Sequence, residues 1–152
     1  MGIFEIRSMK ENDIPIILEY QKRLDNYHAE LRPDLYTKEG CNLSEDELRS
    51  GRSVVYVAVE EDKVVGYVVA TETSYQAITS NKERFIHIAW LFVAEGYRAQ
   101  GIGTALMQRI FDDTRKLGYR RVTFNVINGN PAIKMYEKFG AKPLSFHMEI
   151  NI

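Results

Sequence analysis

The chain has 152 residues, 45% hydrophobic and 11% aromatic, enough to bury one sizeable core and too few to divide comfortably into two. Lys and Arg number 20 against 21 Asp and Glu, a net charge of -1 that excludes a global basic field drawing the protein onto nucleic acid or an anionic membrane. The lone cysteine, Cys41, excludes an intrachain disulfide or a cysteine metal cluster and suits a reducing compartment.

A single domain over residues 1–152 is therefore expected, with a small molecule or another protein as partner. The opening MGIFEIRSMKENDIP has no apolar core of signal-peptide length, and no window approaches the roughly 18 apolar residues of a membrane span, so a cytoplasmic protein is expected. Gly2 raises the question of myristoylation, but Ile6 stands where that signal favours Ser or Thr. Ile3, Phe4 and Ile6 predict a first strand. Asn12 or Asp13 then caps a helix with Pro15 in its first turn, running on through Ile17, Leu18 and Leu24. LRPDLYTKEG reads as an irregular connection. Ser44 with Glu47 forms a capping box for a short helix, SEDELRS, closed by Gly51.

Strands follow. VVYVAVEEDKVVGYVVAT is two apolar runs around Glu61-Asp62, a hairpin pattern. After a polar stretch from Ser74 to Lys82, RFIHIAWLFV has the β-branched and aromatic content of a strand. Beyond Gly101, the residues Ile102, Leu106, Ile110 and Leu117 recur at helical spacing until Gly118. VTFNVI is another strand, PAIKMYEKFG a helix stopped by Gly140, and KPLSFHMEINI alternates as a final strand. The order βα(α)βββαβαβ predicts a mixed α/β sheet with helices packed on it.

Between the strand ending near Val93 and the helix starting near Gly101 lies YRAQGIG. A helix N-terminus presents unpaired N–H groups and partial positive charge, and glycine there lets phosphate oxygens approach the backbone. Two other phosphate loops are excluded by residue identity. A P-loop needs Lys after its second glycine, where Ile102 stands, and a dinucleotide fingerprint needs glycine at the position of Leu106.

The remaining pattern, Arg98-x-x-Gly101-x-Gly103, resembles the signature of the GCN5-related N-acetyltransferase (GNAT) family. Leu91-Phe92-Val93 lies upstream at that family's spacing, and Asn128 through Gly140 is similar to its Asn-x-x-Ala-x-x-x-Tyr-x-x-x-Gly helix. The element order fits the family fold across nearly the whole chain. The resemblance implies a mostly antiparallel sheet of six to seven strands with about four helices, acetyl-CoA as donor, no metal and an amine-bearing acceptor; direct transfer is expected because Cys41 lies far from the motif strand in sequence and nothing marks it as a covalent relay. Dimers are common in the family, so a homodimer with the C-terminal strands as contact surface is a further expectation.

It also implies residue roles. Backbone amides of Arg98, Ala99, Gln100, Gly101, Ile102, Gly103 and Thr104 would hold the pyrophosphate. The edge of Leu91, Phe92 and Val93 would pair with the pantetheine as an added strand, and an amide there would polarise the thioester carbonyl. Tyr136 matches the general acid that protonates the departing thiolate and contacts the cofactor; the alternative is an apolar helix face of Ile133, Met135, Tyr136 and Phe139. The family's asparagine would fall at Gly129, between Asn128 and Asn130. Asn130 is the favoured candidate, and it is equally the natural cap before Pro131.

Many members carry a Glu base on the fourth strand, where Ala89 stands here. His87, two residues earlier and on the same face, is the candidate base, with a structural histidine as the alternative; Glu72 is a second candidate. The resemblance places acceptor recognition in the first helix, the segment to about Ser50 and the final strands. In DNYHAELRPDLY (Asp25 to Tyr36), His28, Glu30 and Asp34 could attract a cationic amine or belong to a solvated loop. The missing Glu also keeps open a non-catalytic acetyl-CoA-binding sensor or interaction module on the same fold.

Overall fold

The hairpin at Glu61-Asp62 forms the centre of the sheet. β2 (Ser53–Glu60) and β3 (Lys63–Ser74) pair antiparallel with Glu60 opposite Lys63. Glu61 and Asp62, the two turn residues, take φ of 49° and 61°, the doubly left-handed conformation whose twist matches the flanking strands. This computed structural model describes residues 3–152, so Gly2 and the lipidation reading attached to it lie outside the described residues.

β1 (Phe4–Ser8) pairs antiparallel with β2, and β4 (Arg84–Val93) antiparallel with β3, while β5 (Val122–Phe124) lies parallel to β4. The sheet order is β1-β2-β3-β4-β5. α1 (Ile14–Leu31) and α2 (Glu45–Arg49) cover one face, where Ile14, Ile17, Tyr20 and Leu48 pack on Val57, Tyr67 and Phe92. α3 (Ile102–Lys116) covers the other, with Ile102, Leu106, Met107 and Ile110 on Ala58, Val68 and Ile88. Each of those helix side chains contributes roughly 1.5–3 kcal/mol by leaving water. Both faces being covered explains why β2 and β3 read as continuous apolar runs rather than alternating ones. α4 (Ala132–Lys138) adds only partly buried residues, Tyr136 and, just beyond it, Phe139, to the second cluster.

The structure corrects several expectations. Asp13 precedes α1, but its carboxylate accepts from the Lys10 N–H (2.7 Å) and from Arg7 (2.7 and 3.1 Å), so it organises the approach to the helix instead of capping it. Ser44 does cap α2, accepting from the Glu47 N–H at 3.2 Å. Leu117 follows α3 and is exposed. The strand read as VTFNVI shrinks to Val122–Phe124, and KPLSFHMEINI forms no strand at all. The sheet consequently has five strands, not six or seven, while the mixed α/β class stands. No helix among the described residues is long and apolar enough to cross a membrane.

Candidate functional site

β4 carries one residue more than the stretch of β3 it faces. Val69 lies opposite Trp90 and Ala70 opposite Ile88, leaving Ala89 as the extra residue of a bulge. The alternation changes hand there: Ile86, Ile88, Leu91 and Val93 belong to the α3 side, and Trp90 and Phe92 to the α1 side. A bulge bends its strand and interrupts pairing. The parallel ladder ends at it, with Ile86, His87 and Ile88 opposite Val122, Thr123 and Phe124 and no β5 residue opposite Leu91, Phe92 or Val93. That side of β4 is therefore a short free edge inside the fold, a template for an extended ligand. Its side chains are fixed by packing, Phe92 lying 5.1 Å from Tyr20 and 6.1 Å from Tyr67 between ring centroids. Behind it, a Cβ on Gly66 would come within 2.8 Å of the Phe92 carbonyl oxygen, so only glycine lets β3 approach β4 here.

The loop after β4 is held by its own side chains. Arg98 Nε donates to the Val93 carbonyl at 3.0 Å with its guanidinium over the Phe92 ring, and Gln100 Nε2 donates to the Gly96 carbonyl at 3.2 Å. Gly96, Ala99 and Gly101 take φ of 85°, 61° and 83°. For Ala99 that conformation costs about 1–2 kcal/mol, so the loop is held in a shape its own residues do not favour.

α3 opens with Ala105 N–H bonded to the Gly101 carbonyl at 3.0 Å, and no side chain caps it and no acidic residue lies in its first turn. The amides of Ile102, Gly103 and Thr104 thus face outward with the positive end of the helix dipole. At Gly103 the φ is not left-handed, and a Cβ would make ordinary contacts, 3.6 Å to Met135 Sδ and 3.7 Å to Val93 Cγ2. Packing does not demand glycine there. Its missing Cβ leaves room between Val93, at the end of β4, and Met135, on α4.

Tyr136 follows Met135 on α4 and packs at the margin of the α3-side cluster. Its ring packs 4.3 Å from that of Phe124, the last residue of β5, and its hydroxyl makes no hydrogen bond within the described residues. Burial raises its pKa above the ordinary phenol value, so it stays protonated at neutral pH. Asn130 Oδ1 accepts from the Ala132 N–H at 2.9 Å, which is the capping role; Asn128 is exposed.

His87 is half-buried, with Nδ1 2.8 Å from Thr123 Oγ1 on β5. Its neighbours Ile86 and Ile88 pack toward α3, so its imidazole lies on the opposite face from Tyr136, across the β4–β5 split. Burial lowers its pKa, so the ring is neutral at pH 7. Glu72 is a poor base by contrast. Arg84 and Tyr119 both donate to its carboxylate and hold its pKa below the usual range.

The segment expected to recognise an acceptor differs most from expectation. Asp25–Leu31 is the last part of α1, not loop, and Asp25 is buried, accepting from Gln21 and from the backbone and side chain of Asn42. Asp34 pairs with Arg32 at 2.6 Å and Glu30 with Lys38 at 3.7 Å, so neither carboxylate is uncompensated. His28 instead sits among aromatic rings, 6.3 to 6.5 Å from Tyr27, Tyr36 and Trp90. Cys41 is half-buried with Sγ 3.2 Å from the Leu43 carbonyl.

Sequence reasoning missed the bulge at Ala89, Thr123 as the partner of His87, and Phe124 as the platform under Tyr136. A bulge leaves no trace in an unbroken apolar run; Phe124, placed at the end of a strand, could have been flagged as aromatic support for a helix returning over it.

Comparison with known proteins adds three findings. The Acetyltransferase (GNAT) family model matches residues 18–141. The N-alpha-acetyltransferase 30 of Schizosaccharomyces pombe is 27% identical over 86 residues, 56% of this chain and 55% of that protein, so the match spans about half its length. Among solved structures, a tetramutant of the BH1408 protein from Bacillus halodurans superposes with a TM-score of 0.88 at 21% identity, covering 97% of this chain and 99% of that one. An acetyltransferase from Trypanosoma brucei gives 0.71 at 22% identity over 99% of this chain and 100% of its own. At such identities the structural likeness speaks for the fold alone.

Proposed function

The chain belongs to the acetyltransferase (GNAT) family, and from that premise we propose that it is an acetyl-CoA-dependent N-acetyltransferase acting on a primary amine of a small molecule or peptide by direct transfer. The observation that carries the reading is Gly103. It sits in the first turn of an uncapped helix, where neither its φ nor its packing requires glycine, and its missing Cβ keeps a crevice open between Val93 and Met135.

Acetyl-CoA, when bound, supplies an activated acetyl thioester for attack by the amine. In this reading the amides from Arg98 to Thr104 bind its pyrophosphate, and the free edge of Leu91, Phe92 and Val93 binds the pantetheine as an added strand. Arg98 and Gln100 act chiefly by holding the loop, through their bonds to Val93 and Gly96. Tyr136 keeps its proton, and its hydroxyl makes no hydrogen bond among the described residues, which suits donation to the departing sulfur. Asn130 orients α4 through its cap and so positions Tyr136. His87, neutral and reaching the split from the other face, takes the proton of the incoming ammonium directly or through water.

Calorimetric titration with acetyl-CoA tests the reading before any acceptor is known. One-to-one saturable binding, lost in Gly101→Val and Gly103→Val, is the expected outcome. Absence of binding at millimolar ligand would leave the loop without its ligand and turn the assignment toward a protein-interaction module on the same fold.

A further inference from the structure

Tyr36 is held in place by the backbone around it although its side chain is 42% exposed. The N–H groups of Leu35 and Tyr36 both donate to the Arg32 carbonyl, at 3.0 and 3.1 Å, and the Arg32 N–H donates to the His28 carbonyl at 2.9 Å, so a turn folds the chain back at the end of α1. Tyr36 thereby comes within 6.4 Å of His28, ring to ring, and Trp90 of β4 reaches the same imidazole at 6.5 Å. Tyr27 adds a third electron-rich ring at 6.3 Å. All three are partly open to solvent, and the imidazole among them is kept neutral at pH 7 by burial. Their surroundings are negative. Asp25, whose charge acts on His28, accepts from the neutral amides of Gln21 and Asn42, and no basic side chain pairs with it among the described residues. The single guanidinium of Arg32 is shared by Asp34 and Glu149, at 2.6 and 2.7 Å, which leaves one carboxylate charge in excess. Lys38 and Glu30 cancel each other.

We infer that this ring cluster is a subsite for a cationic group of the acceptor, a second alkylammonium distinct from the amine that reacts. The inference rests on the acetyl-transfer reading above and gives that site its substrate class, an amine whose molecule carries a further positive charge. A cation over the face of Trp or Tyr is attracted by the ring quadrupole, and the excess of carboxylates nearby adds to the attraction. A neutral apolar group would gain from the rings and nothing from the charge. The position fits as well. Trp90 packs on the α1 side of β4, the side on which His87 lies, and the exposed Ala89 at the bulge stands between them in the strand. Strand geometry puts the two side chains on the order of 10 Å apart, a span of the same order as an extended 1,6-diaminohexane.

Trp90 is the only tryptophan of the chain, so its fluorescence reads the subsite directly. Titration of the wild-type protein with choline, with its neutral isostere 3,3-dimethylbutanol and with 1,6-diaminohexane, at an ionic strength fixed with sodium chloride, tests the inference. Choline and the diamine should change the emission saturably in the millimolar range, and the isostere should bind about fivefold more weakly or worse. Tyr36→Leu should weaken choline about fivefold, while Tyr36→Phe, which keeps the ring face, should stay within about twofold of the wild type. No saturable response to either cation up to about 100 mM would overturn the inference. So would an isostere that binds as tightly as choline, which would make the cluster an apolar site, or a folded Tyr36→Leu variant that binds choline as the wild type does. The wild-type comparison of choline with its isostere decides the matter even if that variant misfolds. Because the readout needs neither acetyl-CoA nor turnover, the two readings fail separately. A protein that binds choline and no acetyl-CoA would keep a cation site and lose the transferase reading; one that binds acetyl-CoA and ignores both cations would keep that reading and lose the subsite.

Discussion

The hydroxyl of Tyr136 is used by no other residue described here, although its ring is packed against Phe124 and burial raises its pKa. A structural tyrosine whose oxygen did nothing would tolerate phenylalanine. Tyr136→Phe should therefore keep the fold and acetyl-CoA affinity, while a general-acid role predicts a fall in kcat of about 100-fold or more, read in steady-state kinetics once an acceptor is identified. Unchanged kcat would remove Tyr136 from that role. His87 is tested by pH. A base acts in its neutral form, and burial lowers the pKa of His87, so kcat/KM should stay level below the ordinary histidine value of 6.5 and fall only as pH drops through the depressed pKa. In His87→Ala that acid limb should vanish with a lower plateau; its survival would make the histidine a strut for Thr123. His28 carries a stability effect of the same sign. Its pKa is lowered by burial, with the charge of Asp25 opposing, so below 6.5 the unfolded chain binds the proton first. Its contribution is fully present above 6.5 and is lost as pH falls through the folded value. The loss of Tm between pH 7.5 and pH 5.5 should be smaller in His28→Phe than in the wild type, a comparison made by thermal unfolding.

At the scale of elements, α1 is tied to the sheet by a buried polar chain. Tyr67 donates to Gln21 Oε1 (2.6 Å), Gln21 Nε2 donates to Asp25 Oδ1 (3.0 Å), and Asp25 receives the Asn42 backbone N–H (2.8 Å). Gln21→Leu would leave a buried phenol without its acceptor and Asp25 with one donor fewer, a loss of about 1–3 kcal/mol in denaturant titration. A change below about 0.5 kcal/mol would mean that water takes over the missing bonds. This chain was invisible in the sequence, because long-range polar pairing leaves no periodic signal; Gln21 and Asp25 are only i and i+4 on a helix. What was legible is what local chemistry specifies: the Glu61-Asp62 turn, Ser44 at the start of α2, the helix of Ile102, Leu106 and Ile110, and the glycines ahead of it. The site was legible to the same depth. Gly101, Gly103 and Tyr136 could be picked out from identity and spacing, the glycines at the start of α3 and the tyrosine on α4, but the split between β4 and β5 depends on Ala89, whose side chain says nothing about a bulge. The final strand failed for a different reason. Its alternation is real, and no described residue pairs with it.

Across the whole molecule, the sheet is firm from β2 to β4 and thins toward β5. β2, β3 and β4 are covered on both faces, whereas β5 has three residues, none fully buried, and α4 has no buried residue. The candidate crevice opens at this thin end, so a ligand there would join β4, α3 and α4, elements that the polypeptide itself joins loosely. Anything that binds only the folded chain stabilises it by RT ln(1 + [L]/Kd), about 2.7 kcal/mol at a hundredfold excess over Kd. For a chain of this size that corresponds to a rise in Tm of about 5–10 °C. Thermal unfolding with increasing CoA, at constant protein concentration so that any self-association contributes equally, should show this rise in the wild type and not in Gly103→Val. An equal rise in both proteins would place the ligand elsewhere on the surface, and no rise in either would remove the donor site from the crevice. If the Tyr136 hydroxyl acts on the departing sulfur and not on the bound ligand, Tyr136→Phe should retain the full shift, which would separate binding at the thin end of the sheet from the chemistry proposed there.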